Sequence, residues 1–221
     1  MSLILHIETA TKQCSVSLGK NGQLIACKEL AEEGFNHAEK LHVFIEELIA
    51  ETGNKIKDLK AVSVSKGPGS YTGLRIGVST AKGLCYSLGI PLISVNTLEI
   101  LARKIQIEDG IIIPMIDARR MEVFTAHFDN EYNLIKETYA LVLNEESFND
   151  VEGKVYFVGD GALKAKELYT KDRFVFNDEV VYPSSRQMID KSYQKFLNNE
   201  FEDVAYFEPF YLKEFMLTTK K

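Results

Sequence analysis

The run Lys66-Gly67-Pro68-Gly69-Ser70-Tyr71-Thr72-Gly73-Leu74-Arg75-Ile76-Gly77-Val78-Ser79-Thr80-Ala81-Lys82 decides how the rest of the chain is read. The β-branched, apolar stretch Ala61 to Ser65 before it predicts a buried strand, and the pattern after it predicts a helix to about Leu88. Gly67-Pro68-Gly69 ends the strand, because Pro68 lacks a ladder donor and the glycines allow angles that side chains resist. Within the helix, Gly73, Gly77 and Ala81 recur at four-residue spacing, with Gly83 nearby. Each internal glycine costs about 1 kcal/mol relative to alanine, so a close approach must offset Gly77 and Gly83. The bare face either lies tight on its own sheet or admits another chain or a phosphate.

Better-known glycine loops fail on spacing. A P-loop ends in Gly-Lys-Ser/Thr, whereas Leu74-Arg75 follow Gly73. Gly67, Gly69 and Gly73 are one residue too widely spaced for a dinucleotide fingerprint. Pro68 stands where a nucleophile elbow needs glycine, so Ser70 is read as a turn residue or helix cap.

Working outward, 221 residues with 45% hydrophobic content can bury a proper core. A net charge of -6 argues against autonomous binding of nucleic acid. The opening Met1 to Glu8 has no basic leader and too short an apolar run for a signal peptide or membrane span. A cytoplasmic protein with no membrane contact is expected. Three cysteines without metal-like spacing fit a reducing compartment. With Asn21-Gly22 as a two-residue hairpin turn, Cys14 faces Glu29 and Cys27 faces Val16. The thiols are then diagonal neighbours roughly 7–8 Å apart, and free.

Leu3 to Ile7 predicts a central strand ending on Glu8, and Cys14 to Leu18 and Gln23 to Leu30 its hairpin. An amphipathic helix follows over 36–52, with Asn36 and Glu39 as a capping box and Leu41, Phe44, Ile45, Leu48 and Ile49 on one face. A strand at Pro91 to Val95 and a short helix from Thr97 to about Lys104 complete this half. From Gly110 the outline repeats. Ile111 to Ile116 ends on Asp117, Ala118-Arg119-Arg120 turns, and Met121 to Phe128 pairs with a strand at Thr138 to Leu143. A strand at Val155 to Val158, a helix at Ala162 to Tyr169 and another from Ser184 or Ser185 to about Asn198 follow. The expected fold class is α/β, a duplicated two-lobed actin-like (ribonuclease H-like) fold in which each lobe is a mixed sheet with flanking helices. The lobes are expected at 1–105, carrying the partner-binding helices, and 106–221.

In such a fold the first turns of the two lobes face a nucleotide. Glu8 and Asp117, with Thr9, Thr11 and Arg119 as auxiliaries, form a possible vestigial ATP and magnesium site, although Ala10 stands where glycine would let amides reach a phosphate. His37 and His42, five apart, point about 140° from each other on a helix and do not chelate one ion. His6 and His127 lie in strands, so no metal site is expected. Lys164, Lys166, Lys171 and Arg173 read as a solvated basic cluster.

Gly67 to Gly77 resembles the signature of the TsaB (YeaZ) family, subunits for threonylcarbamoyladenosine modification of tRNA. Ile7-Glu8-Thr9-Ala10-Thr11, Ile116 to Val123 and Glu208-Pro209-Phe210-Tyr211-Leu212 resemble that family too, in matching order nearly end to end. The resemblance implies a non-catalytic subunit supporting TsaD, which carries the metal and transfers the threonylcarbamoyl group. The ATPase TsaE joins, a TsaC-type enzyme makes the adenylate, and tRNA is met only through the complex. No cofactor of its own is implied. Partner's metal motif, two histidines four apart, is absent, since Leu41 lies four after His37. The helices at 36–52 and 72–88 are expected to meet TsaD, or a second copy when TsaD is missing. The interface residues expected are Leu41, Ile45, Gly69, Tyr71, Gly73, Arg75, Gly77 and Ala81, with Gly77→Leu weakening the complex but not the fold. Other readings stay open: a stand-alone actin-like-fold ATPase or kinase, a glycoprotease-like peptidase, or a homodimeric scaffold.

Overall fold

A computed structural model of the chain describes residues 2–31 and 37–213. The first sheet comprises β1 (Leu3–Glu8), β2 (Gln13–Lys20), β3 (Gln23–Ala31), β4 (Ala61–Ser65) and β5 (Leu92–Val95), in the order β3-β2-β1-β4-β5. The second comprises β6 (Ile111–Asp117), β7 (Glu122–Phe128), β8 (Leu134–Val142), β9 (Val155–Val158) and β10 (Phe174–Phe176), in the order β10-β9-β6-β7-β8. Taken from the opposite end, the second order has the connectivity of the first. In both, the first strand pairs antiparallel with its hairpin mate and parallel with the fourth. The duplicated two-lobed α/β architecture is the one expected from sequence.

Every residue of β1 and β4 is buried, as central strands covered on both faces require. Two helices cover one face of the first sheet, α1 (His37–Glu51) and α2 (Tyr71–Leu88). Leu41, Ile45 and Leu48 of α1 join Val78, Ala81 and Cys85 of α2 against Leu5, Ile7, Val62 and Val64. Each large aliphatic side chain so buried contributes about 1.5–3 kcal/mol. Ser70 caps α2, its hydroxyl accepting from Gly73 N, and Gly89 ends it at φ 65°. Asn36, the cap expected for α1, lies outside the described residues. Among the described residues, no helix is long and apolar enough to cross a membrane.

Two expectations need correction, and one strand, β10, was not foreseen. A bulge between Leu18 and Gly19 shifts the first hairpin by one residue, so Cys14 faces Leu30 and Cys27 faces Ser17. A one-residue slip reverses side-chain parity, which puts the two thiols on opposite faces of the sheet. Both are free. The helix expected over 162–169 is a 3-10 turn at Asp160–Ala165, where Gly161 lies so close to Ile116 that a Cβ would sit 3.0 Å from its carbonyl carbon. The three-residue β10 is too short to show a period in sequence.

The end of the chain returns to the first lobe. After α3 (Thr97–Ala102) and the second sheet, a 3-10 turn at Ser185–Met188 leads into α4 (Ile189–Leu197). Tyr193 and Phe196 of α4 pack on Ile4, Ala61 and Ile93, covering the face opposite α1 and α2. Residues 199–213 then form a strap. Glu202 bridges Leu92, Lys82 Nζ donates to the carbonyls of Ala205 and Phe207, and Phe210 N donates to Lys66 O at 2.7 Å. A division at 105/106 therefore separates the two sheets but not the packing from residue 184 onward.

Candidate functional site

The turn after β1 is where a phosphate would be cradled in this fold. Glu8, Thr9 and Ala10 are completely buried. Glu8 Oε1 accepts from Ala10 N at 2.6 Å, Thr9 Oγ1 donates to Gly73 O at 2.8 Å, and Ser70 N donates to Ala10 O at 2.7 Å. Burial pushes the Glu8 carboxyl up to about 7, opposed by the Ala10 N–H. Thr11 is buried as well, and its backbone oxygen meets the His37 ring at 2.7 Å.

The glycines of α2 explain this closure. A Cβ at Gly69 would lie 2.3 Å from Ala10 O, at Gly73 2.1 Å from Thr9 O, and at Gly77 2.3 Å from Thr9 Oγ1. The missing side chains thus admit the chain's own first turn, so Gly77→Leu would break the fold before it reached any partner. The first turn offers a phosphate neither an exposed carboxylate nor a free Ala10 amide.

Across the cleft, Asp117 is exposed but committed to neighbours. Its Oδ1 accepts from Arg119 N at 2.7 Å and from Lys164 Nζ, while its own N–H donates to Asp160 at 2.9 Å. Burial raises the Asp160 carboxyl above its usual range. Arg119 and Arg120 both adopt positive φ, 72° and 51°, and are exposed. No group of three or more His, Cys, Asp or Glu among the described residues is placed to hold a metal ion. The residues Glu8 and Asp117, paired in sequence by analogy of the lobes, stand in different states: one sealed, one in a surface salt bridge.

The expected interface residues separate into three groups. Leu41, Gly73, Gly77 and Ala81 are buried in the lobe, and Gly69 packs on Ala10. Tyr71 and Arg75 lie under the strap, with Arg75 4.1 Å above the Tyr71 ring, Tyr71 4.7 Å from the Tyr211 ring, and Arg75 Nε donating to Tyr211 Oη. Ile45 alone of the set lines an open groove of about 660 Å³ between α1 and α2. The residues that sequence reasoning missed there are His42, Glu46, Ile49, Ser79, Thr80 and Leu84, joined by Gly83. Gly83 has nothing within 4 Å of a built Cβ. Its sequence signal was the break in spacing: Gly83 falls outside the register of Gly69, Gly73, Gly77 and Ala81, on a different side of the helix.

Two mixed sheets of like connectivity, each with flanking helices, place the chain in the actin-like class of α/β folds. The family model described as TsaD, tRNA N6-adenosine threonylcarbamoyltransferase, matches residues 30–207. The tRNA threonylcarbamoyladenosine biosynthesis protein TsaB of Escherichia coli (strain K12) is 32% identical over 219 residues, covering 95% of this chain and 94% of that one. Its counterpart in Bacillus subtilis (strain 168) is 36% identical over 134 residues, 61% of this chain and 58% of that protein. The solved structure of YeaZ from Pseudomonas aeruginosa superposes with a TM-score of 0.84 at 24% identity, covering 96% of this chain and 100% of the other, and shows the shared fold. The chain belongs to the TsaB (YeaZ) family.

Proposed function

We propose that this chain acts in tRNA threonylcarbamoyladenosine biosynthesis as a non-catalytic subunit that holds a TsaD homologue through the groove between α1 and α2. The observation that carries the reading is that groove: two adjacent helices present Ile45, Ile49 and Leu84, and the turn after α1 adds Ile56, around an open glycine. Small residues let a second helix come close and pack at interior density. The match to the TsaD family model spans both helices, which supports a partner of the same fold offering an equivalent pair. The sealed turn at Glu8 and the neutralised Asp117 support leaving nucleotide and metal to the partners, with a TsaE homologue joining and tRNA met only in the complex. In this reading the protein works in the cytoplasm and pairs with itself when TsaD is absent.

The test uses calorimetric titration against a TsaD homologue. Gly83→Leu is expected to weaken binding at least tenfold with an unchanged circular dichroism spectrum, because a Cβ there meets nothing within 4 Å and the side chain extends from an exposed position into the groove. Equal affinity in folded Gly83→Leu would refute the groove as the contact. Gly77→Leu is the contrasting control, expected to lose the fold through collision with Thr9.

A further inference from the structure

Three oxygens near the ends of β1 and β4 are buried without a hydrogen-bond partner among the described residues: Glu8 Oε2, Ser65 Oγ and Gln187 Oε1. The topology brings them together. Ile4 and Ser63 face α4, the first against Tyr193 and Phe196 and the second bonded to Ser192, so by strand alternation Glu8 and Ser65 face the same way. The parallel register that pairs Ile7 with Val64 sets Ser65 beside Glu8. Over this face runs the 3-10 turn at Ser185–Met188. One end is held on β2, where Ser185 bonds to Ser15 and Ser17, and the other on β5 and α3, where Met188 packs with Val95 and Ile100. Strands β1 and β4 lie between β2 and β5, so Gln187 crosses above the Glu8 and Ser65 pair.

The chain supplies this carboxylate with no counter-charge among the described residues. Arg186 turns to Glu29, Lys104 Nζ donates to Tyr182 O and Lys195 Nζ to Ser94 O, while Lys12 acts on Asp160 and Lys66 on Lys195. His6 directs Nδ1 to Ser17 O, and burial holds the Cys14 thiol neutral, up to about 12. Burial governs the Glu8 carboxyl, with no cation opposing it. A carboxylate in that position takes up either a proton or a cation. One carboxylate among neutral oxygens carries a single negative charge, which a monovalent ion cancels and a divalent ion exceeds.

We propose that Glu8 Oε2, Ser65 Oγ and Gln187 Oε1 form a site for a monovalent metal cation of the sodium or potassium class, which fastens the returning segment to the first sheet. The proposal does not depend on the partner named above. The ion competes with the proton on Glu8, so at pH 5 about a hundredfold more of it is needed than above pH 7. Any gain from removing the Glu8 charge at pH 8 then belongs to solutions free of sodium and potassium.

The full chain is melted at pH 8 in tetramethylammonium chloride, whose cation is too large to enter, with sodium, potassium or magnesium replacing it at constant ionic strength. Sodium or potassium is expected to raise the melting temperature saturably by roughly 5 °C. The rise should vanish in Glu8→Gln and shrink in Ser65→Ala and Gln187→Leu. Thallium(I), a strongly scattering stand-in for potassium, should give an anomalous peak against Glu8 Oε2 in crystals, whatever the variants do. A rise that persists in Glu8→Gln overturns the proposal, as does one produced by magnesium but by neither monovalent ion. No response to any cation, with no thallium peak, overturns it too and leaves water to bridge these oxygens.

Discussion

Glu8 ends β1 with its carboxyl fully buried, and its Oε2 has no hydrogen-bond partner among the described residues. Its pKa of about 7 lies above the value of 4.5 for a free side chain, so the folded chain holds a proton there that the unfolded chain releases between those values. Stability from this group is present below about pH 4.5 and is lost as pH rises through 7. His6 and His127 act in the opposite sense, because burial lowers both from 6.5 to about 4 and their neutral forms favour the fold. Their contribution is present above 6.5 and is lost on acidification towards 4. Glu8→Gln keeps an acceptor for Ala10 N and removes the charge. It should stabilise the protein at pH 8 by an amount on the order of 2 kcal/mol, with little effect at pH 4. Denaturant melts at the two pH values decide this; a gain of equal size at both would show that the charge is not the cause.

Helices α1 and α2 were legible because their apolar positions repeat at the helical period and bury as one face. The strap was not, since many of its contacts use backbone groups at Glu202, Ala205, Phe207 and Phe210, to which residue identity is largely indifferent. Its one legible fragment, Glu208 to Leu212, proves to lie on the glycine loop. A Cβ at Gly67 would stand 2.6 Å from Phe210 O. The glycine spacing announced close approach correctly but could not say to what: Thr9, Ala10 and Phe210 supply most of it, and of Gly67, Gly69, Gly73, Gly77 and Gly83 only Gly83 faces open space. The hairpin register was missed for a similar reason, as one extra residue at a bulge reverses parity without leaving a mark in composition. Tyr211→Ala should release the strap locally, since it removes the ring against Tyr71 and the bond from Arg75. Hydrogen exchange at the Phe210 amide should then quicken roughly tenfold while α1 amides keep their protection. Unaltered exchange at Phe210 would mean that the backbone bonds hold the strap without the aromatic clasp.

At the scale of the molecule, the segment from residue 184 onward makes the first lobe's fold a shared property. Tyr193 and Phe196 seal Ile4, Ala61 and Ile93, and Tyr193 also lies against the Asn21-Gly22 turn. Between them and the cleft, Ser15 and Ser17 are buried and bond to Ser185, while Ser63 bonds to Ser192 at 2.7 Å and Lys195 Nζ donates to Ser94 O. Cutting the chain after residue 105 would expose that apolar face and leave those buried hydroxyls to water. Losing the two partly buried aromatic covers costs on the order of 1 kcal/mol each, a sizeable share of the 5–15 kcal/mol by which domains are stable. The intact protein should therefore unfold in one transition, with calorimetric and van't Hoff enthalpies equal. Fragment 1–105 should give a poorly dispersed amide spectrum that sharpens when a peptide spanning 184–213 is added. A well-dispersed spectrum from 1–105 alone would show that the first sheet and its two helices suffice, and that the returning segment is an addition to a lobe already folded.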